Sequence, residues 1–153
     1  MAAQSVFEGI EALSANVGKS LGVTDWLEIT QDRIDAFATA TGDHQWIHVD
    51  PVRAKDGPFG ATIAHGYLTM SLASFFLPQL IEVHGISMGI NYGVDKVRFP
   101  NPVRVGSRLR GRAELASVEP IKGGVQAKLV ITLEIEGQEK PACVIESLTR
   151  YLA

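Results

Sequence analysis

The sequence predicts an α+β domain, and three observations carry that prediction. Positions 61–83 form a long, mostly apolar run, interrupted by His65, Gln79 and Glu82. Cap and stop signals of short helices precede it. From Met88 onward the apolar period changes to two, the spacing of antiparallel strands with one buried face. A helix apolar on every side needs cover, and a meander of strands supplies it. At 153 residues the chain fits one domain, residues 1–153, large enough to bury its own core.

The elements follow in order. Thr30 is placed to N-cap a helix, with Asp32 where negative charge favours a helix N-terminus. Ile34, Phe37 and Ala38 recur at i, i+3, i+4, and Gly42 is a natural stop. Asp50 followed by Pro51 signals a second short helix, so residues 43–49 form a tight connection between two helices. After the turn-rich Lys55-Asp56-Gly57-Pro58, a long helix is expected over roughly residues 62–83. Helix signals thus fill the first half of the chain. In the second half, Val125, Ala127, Leu129, Ile131, Leu133 and Ile135 line one strand face, while Gln126, Lys128, Thr132, Glu134 and Glu136 line most of the other. A similar strand precedes it, with Leu109, Ala113 and Leu115 opposite Arg108, Arg110, Arg112 and Glu114. Residues 119–124 read as the link between them, and a third strand is expected over residues 142–152. The three arginines have the look of a solvated outer face.

Composition sets outer limits on function. Hydrophobic residues make up 46% and charged residues 20%, ordinary globular values. The formal charge of −3 gives no reason to expect nucleic acid as a partner, because a duplex binder normally carries a basic excess. One cysteine, Cys143, allows neither an internal disulfide nor a cysteine metal cluster. The four histidines are scattered along the chain and suggest no metal. The N-terminus shows no signal peptide, and the apolar run, although long enough to span a bilayer, has the polar content of a buried helix. A cytoplasmic protein without membrane attachment is the expectation.

The chemistry is concentrated in Gly42-Asp43-His44-Gln45-Trp46-Ile47-His48-Val49-Asp50. Asp43 and His48 are a carboxylate and an imidazole five residues apart on a constrained connection. If the turn folds them to one side, both hydrogen-bond the same water, an arrangement suited to general acid–base work. The plainer alternative makes Asp43 a turn residue bonded to its own backbone and His48 a packed side chain. His44 reads as bland, and Asp50 as a helix cap.

This segment resembles the hydratase motif of the MaoC-like dehydratases and (R)-specific enoyl-CoA hydratases. There a helix ends in Gly-Asp, followed by x-Asn-Pro-x-His and an Asp-capped helical turn. Gly42, Asp43, His48, Asp50 and Ala54 match; Gln45 and Trp46 stand in place of the Asn and Pro. Ile63-Ala64-His65-Gly66 resembles the family's Ile-Val-His-Gly, and residues 97–107 resemble the strand and turn after its central helix.

The resemblance implies a hotdog fold, a curled antiparallel sheet wrapped around a long central α-helix. It implies a hydro-lyase of fatty acid metabolism that adds water reversibly to trans-2-enoyl-CoA and gives (R)-3-hydroxyacyl-CoA. Asp43 and His48 are then catalytic, and the backbone N–H of Gly66 is the oxyanion donor. Free N–H groups at a helix start fit that last role. Gln45, Trp46, His65, Tyr67, Tyr92 and Arg98 are the candidate substrate-binding residues. Among them, the aromatics are acyl-tunnel or core side chains, and Arg98 joins Arg53, Lys55, Lys96 and Arg104 as a candidate for the carrier's phosphates. The substrate carrier is coenzyme A or an acyl-carrier protein, no metal or other cofactor is implied, and a homodimer is expected. A hotdog thioesterase and a non-catalytic acyl-thioester binder are the alternatives. The first normally has an acid on the central helix, where Ala64, Tyr67, Leu68, Met70 and Ser71 offer none.

Overall fold

In the computed structural model, which describes residues 2–153, the chain opens with strand β1 (Ser5–Glu8), helix α1 (Ile10–Ser14) and strands β2 (Ser20–Val23) and β3 (Leu27–Glu28). These strands are too brief for a period of two to register, so the expectation of helices throughout the first half does not hold here.

The three short helices that follow begin and end where the cap residues place them. Helix α2 (Gln31–Thr41) starts with the Arg33 N–H donating to Thr30 Oγ1 at 3.2 Å. It stops at Gly42, whose φ of 81° is a left-handed conformation that glycine adopts without a Cβ clash. The connection after it contains one helical turn, α3 (Trp46–Val49). Helix α4 (Pro51–Lys55) is capped by Asp50, whose Oδ1 accepts from the Arg53 N–H at 3.0 Å.

The apolar run departs from a single long helix. Residues 62–65 are extended: Ile63 bridges to Arg104, and the Ala64 N–H donates to Val103 O at 2.8 Å. Helix α5 (Gly66–Ser71) and helix α6 (Ala73–Leu80) follow, stepped at Leu72, whose N–H is shared between Leu68 O and Thr69 O. Pro78 has no N–H to continue the ladder, and the chain turns extended at Ile81. Strand β4 (Ile81–His84) then pairs in parallel with β1. The helical layer therefore covers residues 66–80 rather than 62–83. Nor is it apolar all round, since Tyr67 is 72% exposed and Phe75 46% exposed. Its inner stripe is Leu68, Leu72, Phe76 and Leu80, one face at four-residue spacing and all buried.

Strands β5 (Met88–Arg98), β6 (Arg108–Ile121), β7 (Gly124–Ile135) and β8 (Cys143–Leu152) complete an antiparallel sheet in the order β2-β6-β7-β8-β5, with β3 also on β6. The link between β6 and β7 is shorter than the expected 119–124. Pro120 and Ile121 are already paired with Val125 and Gly124, leaving Lys122 and Gly123 as the turn. The alternating face of β7 is buried along its full length, as its period of two predicts. That face meets the helical stripe, and each fully buried Leu, Ile or Phe adds about 1.5–3 kcal/mol to the core. Helix and sheet come close at Gly111, where a Cβ would lie 2.7 Å from Cβ of Phe76. On the outer face Arg108 pairs with Glu136 at 3.0 Å and Arg110 with Glu134 at 2.9 Å, with Arg112 also on Glu134. The arginine alternation is thus a solvated face, its three cations ion-paired with two carboxylates alongside. Among the described residues no helix is long and apolar enough to cross a membrane.

Candidate active site

Of the two catalytic candidates, Asp43 precedes the one-turn helix α3 and His48 lies within it. Asp43 follows the left-handed Gly42 directly, so the stop of α2 aims the chain outward at that point. Its carboxylate is exposed, and Oδ1 accepts from the Gln45 N–H at 3.3 Å. This is the turn bond that the plainer reading anticipates; the second oxygen remains for other work. His48 lies one turn further and is buried, with 6% exposure. Its Nδ1 is 2.7 Å from Ile63 O. A carbonyl only accepts, so Nδ1 carries the hydrogen, and neutral His48 keeps its lone pair on Nε2. Burial pushes the His48 pKa below its usual 6.5, and a nearby His65 charge does the same; the bond to Ile63 and the charge of Asp43 act in the opposite direction.

His65 completes the group. It ends the extended segment before α5, is 2% exposed, and its Nε2 donates to the backbone carbonyl of Asp43 at 3.0 Å. Its ring stacks on His48 with centroids 3.9 Å apart and 23° between planes, while Phe37 of α2 tilts against it at 5.0 Å. Ligand atoms of Asp43, His48 and His65 all lie within 4.8 Å of one another. The histidines are scattered in sequence, yet the fold gathers two of them. This is also the group with donor atoms of the kind that hold a metal ion.

Gly66 opens α5 immediately after His65. No acceptor within the chain takes its N–H among the described residues, as expected for the first residue of a helix. It borders a cleft of about 230 Å³ that Phe59, Ile63, Thr69, Phe99 and Val103 also line. A Cβ at position 66 would touch the Phe99 ring at 3.4 Å, so glycine keeps this wall open.

The remaining candidates are dispersed. Trp46 packs outward, with the Arg53 guanidinium 4.2 Å from its ring centre and Gly57 against its far edge. Gln45 is exposed beside Asp43. Tyr67 is exposed on α5, and Tyr92 is exposed on β5 beneath Arg150, whose guanidinium is 3.5 Å from the ring centre. Arg98 is exposed at the end of β5, next to the cleft residue Phe99. Two supporting residues escaped the sequence reading. Gln31 donates to His48 O at 2.8 Å and accepts from the buried Thr62 hydroxyl, tying α2, α3 and the segment before α5 together. Only the tertiary fold reveals that link, because its partners lie 17 and 31 residues away.

The fold is that of a hotdog domain, with Asp43, His48 and His65 gathered at the entry to its helical layer. The chain belongs to the MaoC-like family: the family described as MaoC like domain matches residues 13–136. The 3-hydroxyacyl-thioester dehydratase Z of Mycobacterium tuberculosis (strain ATCC 25618 / H37Rv) is 53% identical over 148 residues, 96% of this chain and 98% of the relative. Nodulation protein N of Rhizobium meliloti (strain 1021) is 46% identical over 136 residues, 85% of this chain and 83% of that protein. Among solved structures, the (R)-hydratase from A. caviae involved in PHA biosynthesis superposes with a TM-score of 0.72 at 26% identity, covering 87% of this chain and 94% of that one.

Proposed function

We propose that this protein is a hydro-lyase that adds water reversibly to a trans-2-enoyl thioester of coenzyme A or an acyl carrier, giving the (R)-3-hydroxyacyl thioester. The observation that carries the proposal is the juxtaposition of Asp43 with a His48 whose Nε2 lone pair is fixed by the bond to Ile63. The relatives named as a dehydratase and an (R)-hydratase support it.

One water donates to the Asp43 carboxylate and to His48 Nε2. Asp43 takes a proton as the water oxygen bonds to C3, and negative charge moves onto the thioester oxygen. The free Gly66 N–H stabilises that charge, a contribution of about 3 kcal/mol for one such donor. The proton that Asp43 accepted is then passed on to C2, which completes the addition and returns Asp43 to its carboxylate. Water supplies every atom, so no redox cofactor and no co-reactant enter. The cleft beside Gly66 takes the thioester, and the exposed Arg98, next in sequence to the cleft residue Phe99, is the candidate for a carrier phosphate.

A second copy of the chain completes the assembly. Strand β5 is the unpaired end of the sheet and exposes Met88, Ile90, Tyr92 and Val94, an apolar edge of the kind that pairs with another edge. Thiolate chemistry has no support, since burial pushes the Cys143 thiol up to about 12. Purified protein mixed with crotonyl-CoA tests the function: loss of enoyl absorbance without free thiol supports hydration, and release of free thiol reassigns the protein to the thioesterases.

A further inference from the structure

We propose that His65 is the positioning residue of this site, its Nε2–H holding the Asp43 backbone and its ring face holding the His48 imidazole. The proposal rests on the hydration reading, in which Asp43 and His48 share one water.

Three contacts converge on this one residue, two through its side chain and one through its backbone carbonyl. The Asp43 carbonyl can only accept, so the 3.0 Å contact fixes a hydrogen on Nε2 and anchors the loop at the residue that bears the catalytic carboxylate. The face-to-face contact with His48 at 3.9 Å blocks rotation of that ring out of the plane set by Ile63. The His65 backbone carbonyl receives both the N–H and the hydroxyl of Thr69, locking the first turn of α5 and with it the neighbouring Gly66. Base, water holder and oxyanion donor thus share one mechanical reference point. At 2% exposure, and with Phe37 against its other side, His65 has little freedom to move away. Its Nδ1 is buried without a partner, a cost that a purely structural position would relieve by carrying an apolar residue.

Such a residue acts through geometry, so its removal lowers kcat more than it raises KM. A displacement of about 1 Å in catalytic groups costs about 100-fold in rate. Two substitutions separate the two contacts. His65→Gln keeps an N–H within reach of the Asp43 carbonyl but loses the ring face. His65→Phe keeps the ring face but loses the N–H.

The experiment compares wild type with His65→Ala, His65→Gln and His65→Phe. It reads crotonyl-CoA hydration across pH, the NMR titration of His48, and thermal unfolding as the check of folding. His65→Ala is expected to lose about 100-fold in kcat with KM nearly unchanged. Water reaching the uncovered ring moves its His48 midpoint up toward 6.5. His65→Gln is expected to regain most of the lost kcat while keeping the raised midpoint, and His65→Phe to keep the low midpoint while losing rate. Wild-type kcat together with an unmoved His48 midpoint in folded His65→Gln and His65→Phe overturns the proposal. A wild-type protein that does not hydrate any enoyl thioester, yet shows these midpoint differences, overturns the hydration reading and leaves the positioning of His48 standing.

Discussion

The Nδ1–H of His48 donates to the carbonyl oxygen of Ile63 across 2.7 Å, and this one bond decides which face of the imidazole is available for chemistry. Ile63 belongs to the extended segment that precedes α5, whereas His48 lies within the one-turn helix α3. The loop with Asp43 and His48 and the segment leading to Gly66 are therefore fixed to each other through the His48 ring itself. The other tautomer would set the Nδ1 lone pair against a carbonyl lone pair, an arrangement without a hydrogen.

A pH dependence follows from the same contact. The folded His48 pKa lies below 6.5, so as pH falls from neutrality the unfolded chain takes up its proton first. Stability associated with His48 is complete above 6.5 and declines from there down to the folded value. Activity, which needs the Nε2 lone pair, holds through 6.5 and falls only at the lower folded value. Rates of crotonyl-CoA hydration and thermal unfolding measured side by side across this range are expected to show stability beginning its decline at higher pH than the rate. An activity limb centred above 6.5 is the opposite result.

The Gly66 N–H, the proposed oxyanion donor, can be removed on its own. His65 has φ −58° and ψ 142°, the conformation favoured before proline, and the first position of a helix accepts proline. Gly66→Pro is therefore expected to fold while losing about 10²- to 10³-fold in kcat, the cost of one oxyanion donor. Gly66→Ala keeps the N–H and brings its Cβ to ordinary contact with Phe99, so it is expected to lose far less. Equal rates for the two variants in steady-state assays contradict the assigned role.

Packing of the helical layer onto the sheet is tested at Gly111. A Cβ there meets Phe76 at 2.7 Å, and both residues belong to rigid, buried elements. Gly111→Ala is expected to destabilise the fold by about 1–3 kcal/mol, the range for overpacking a filled core. Chemical denaturation with an unchanged slope and a lowered midpoint is the expected record.

What the sequence reveals and what it hides divides along local and tertiary lines. Thr30, Gly42, Asp50 and Pro51 announce the ends of α2 and α4 because a cap is a contact over two to four residues. Those ends bracket Asp43 and His48, which is why the pair is visible without a structure. The alternation of β7 is equally local. The stacking of His65 on His48 and the Gln31 link have no such signature, because tertiary folding brings their partners together. The same holds for β1 and β4, paired in parallel across the chain from Ser5 to Ile81. The apolar run misleads for another reason. Hydrophobicity alone does not separate a buried helix from the extended segments at its two ends, and both Ile63 and Ile81 are buried in strand-like contacts.

The most direct test of the account is the rate of crotonyl-CoA hydration by wild type, Asp43→Asn and His48→Ala, with free thiol followed in parallel. Wild type is expected to lose enoyl absorbance without releasing thiol. Each variant is expected to keep the unfolding midpoint of a folded protein and fall by about 10²- to 10⁴-fold, the contribution of a positioned acid–base group. A variant that hydrates at the wild-type rate, or thiol released in step with the lost absorbance, contradicts the central claim that Asp43 and His48 deliver water to an enoyl thioester.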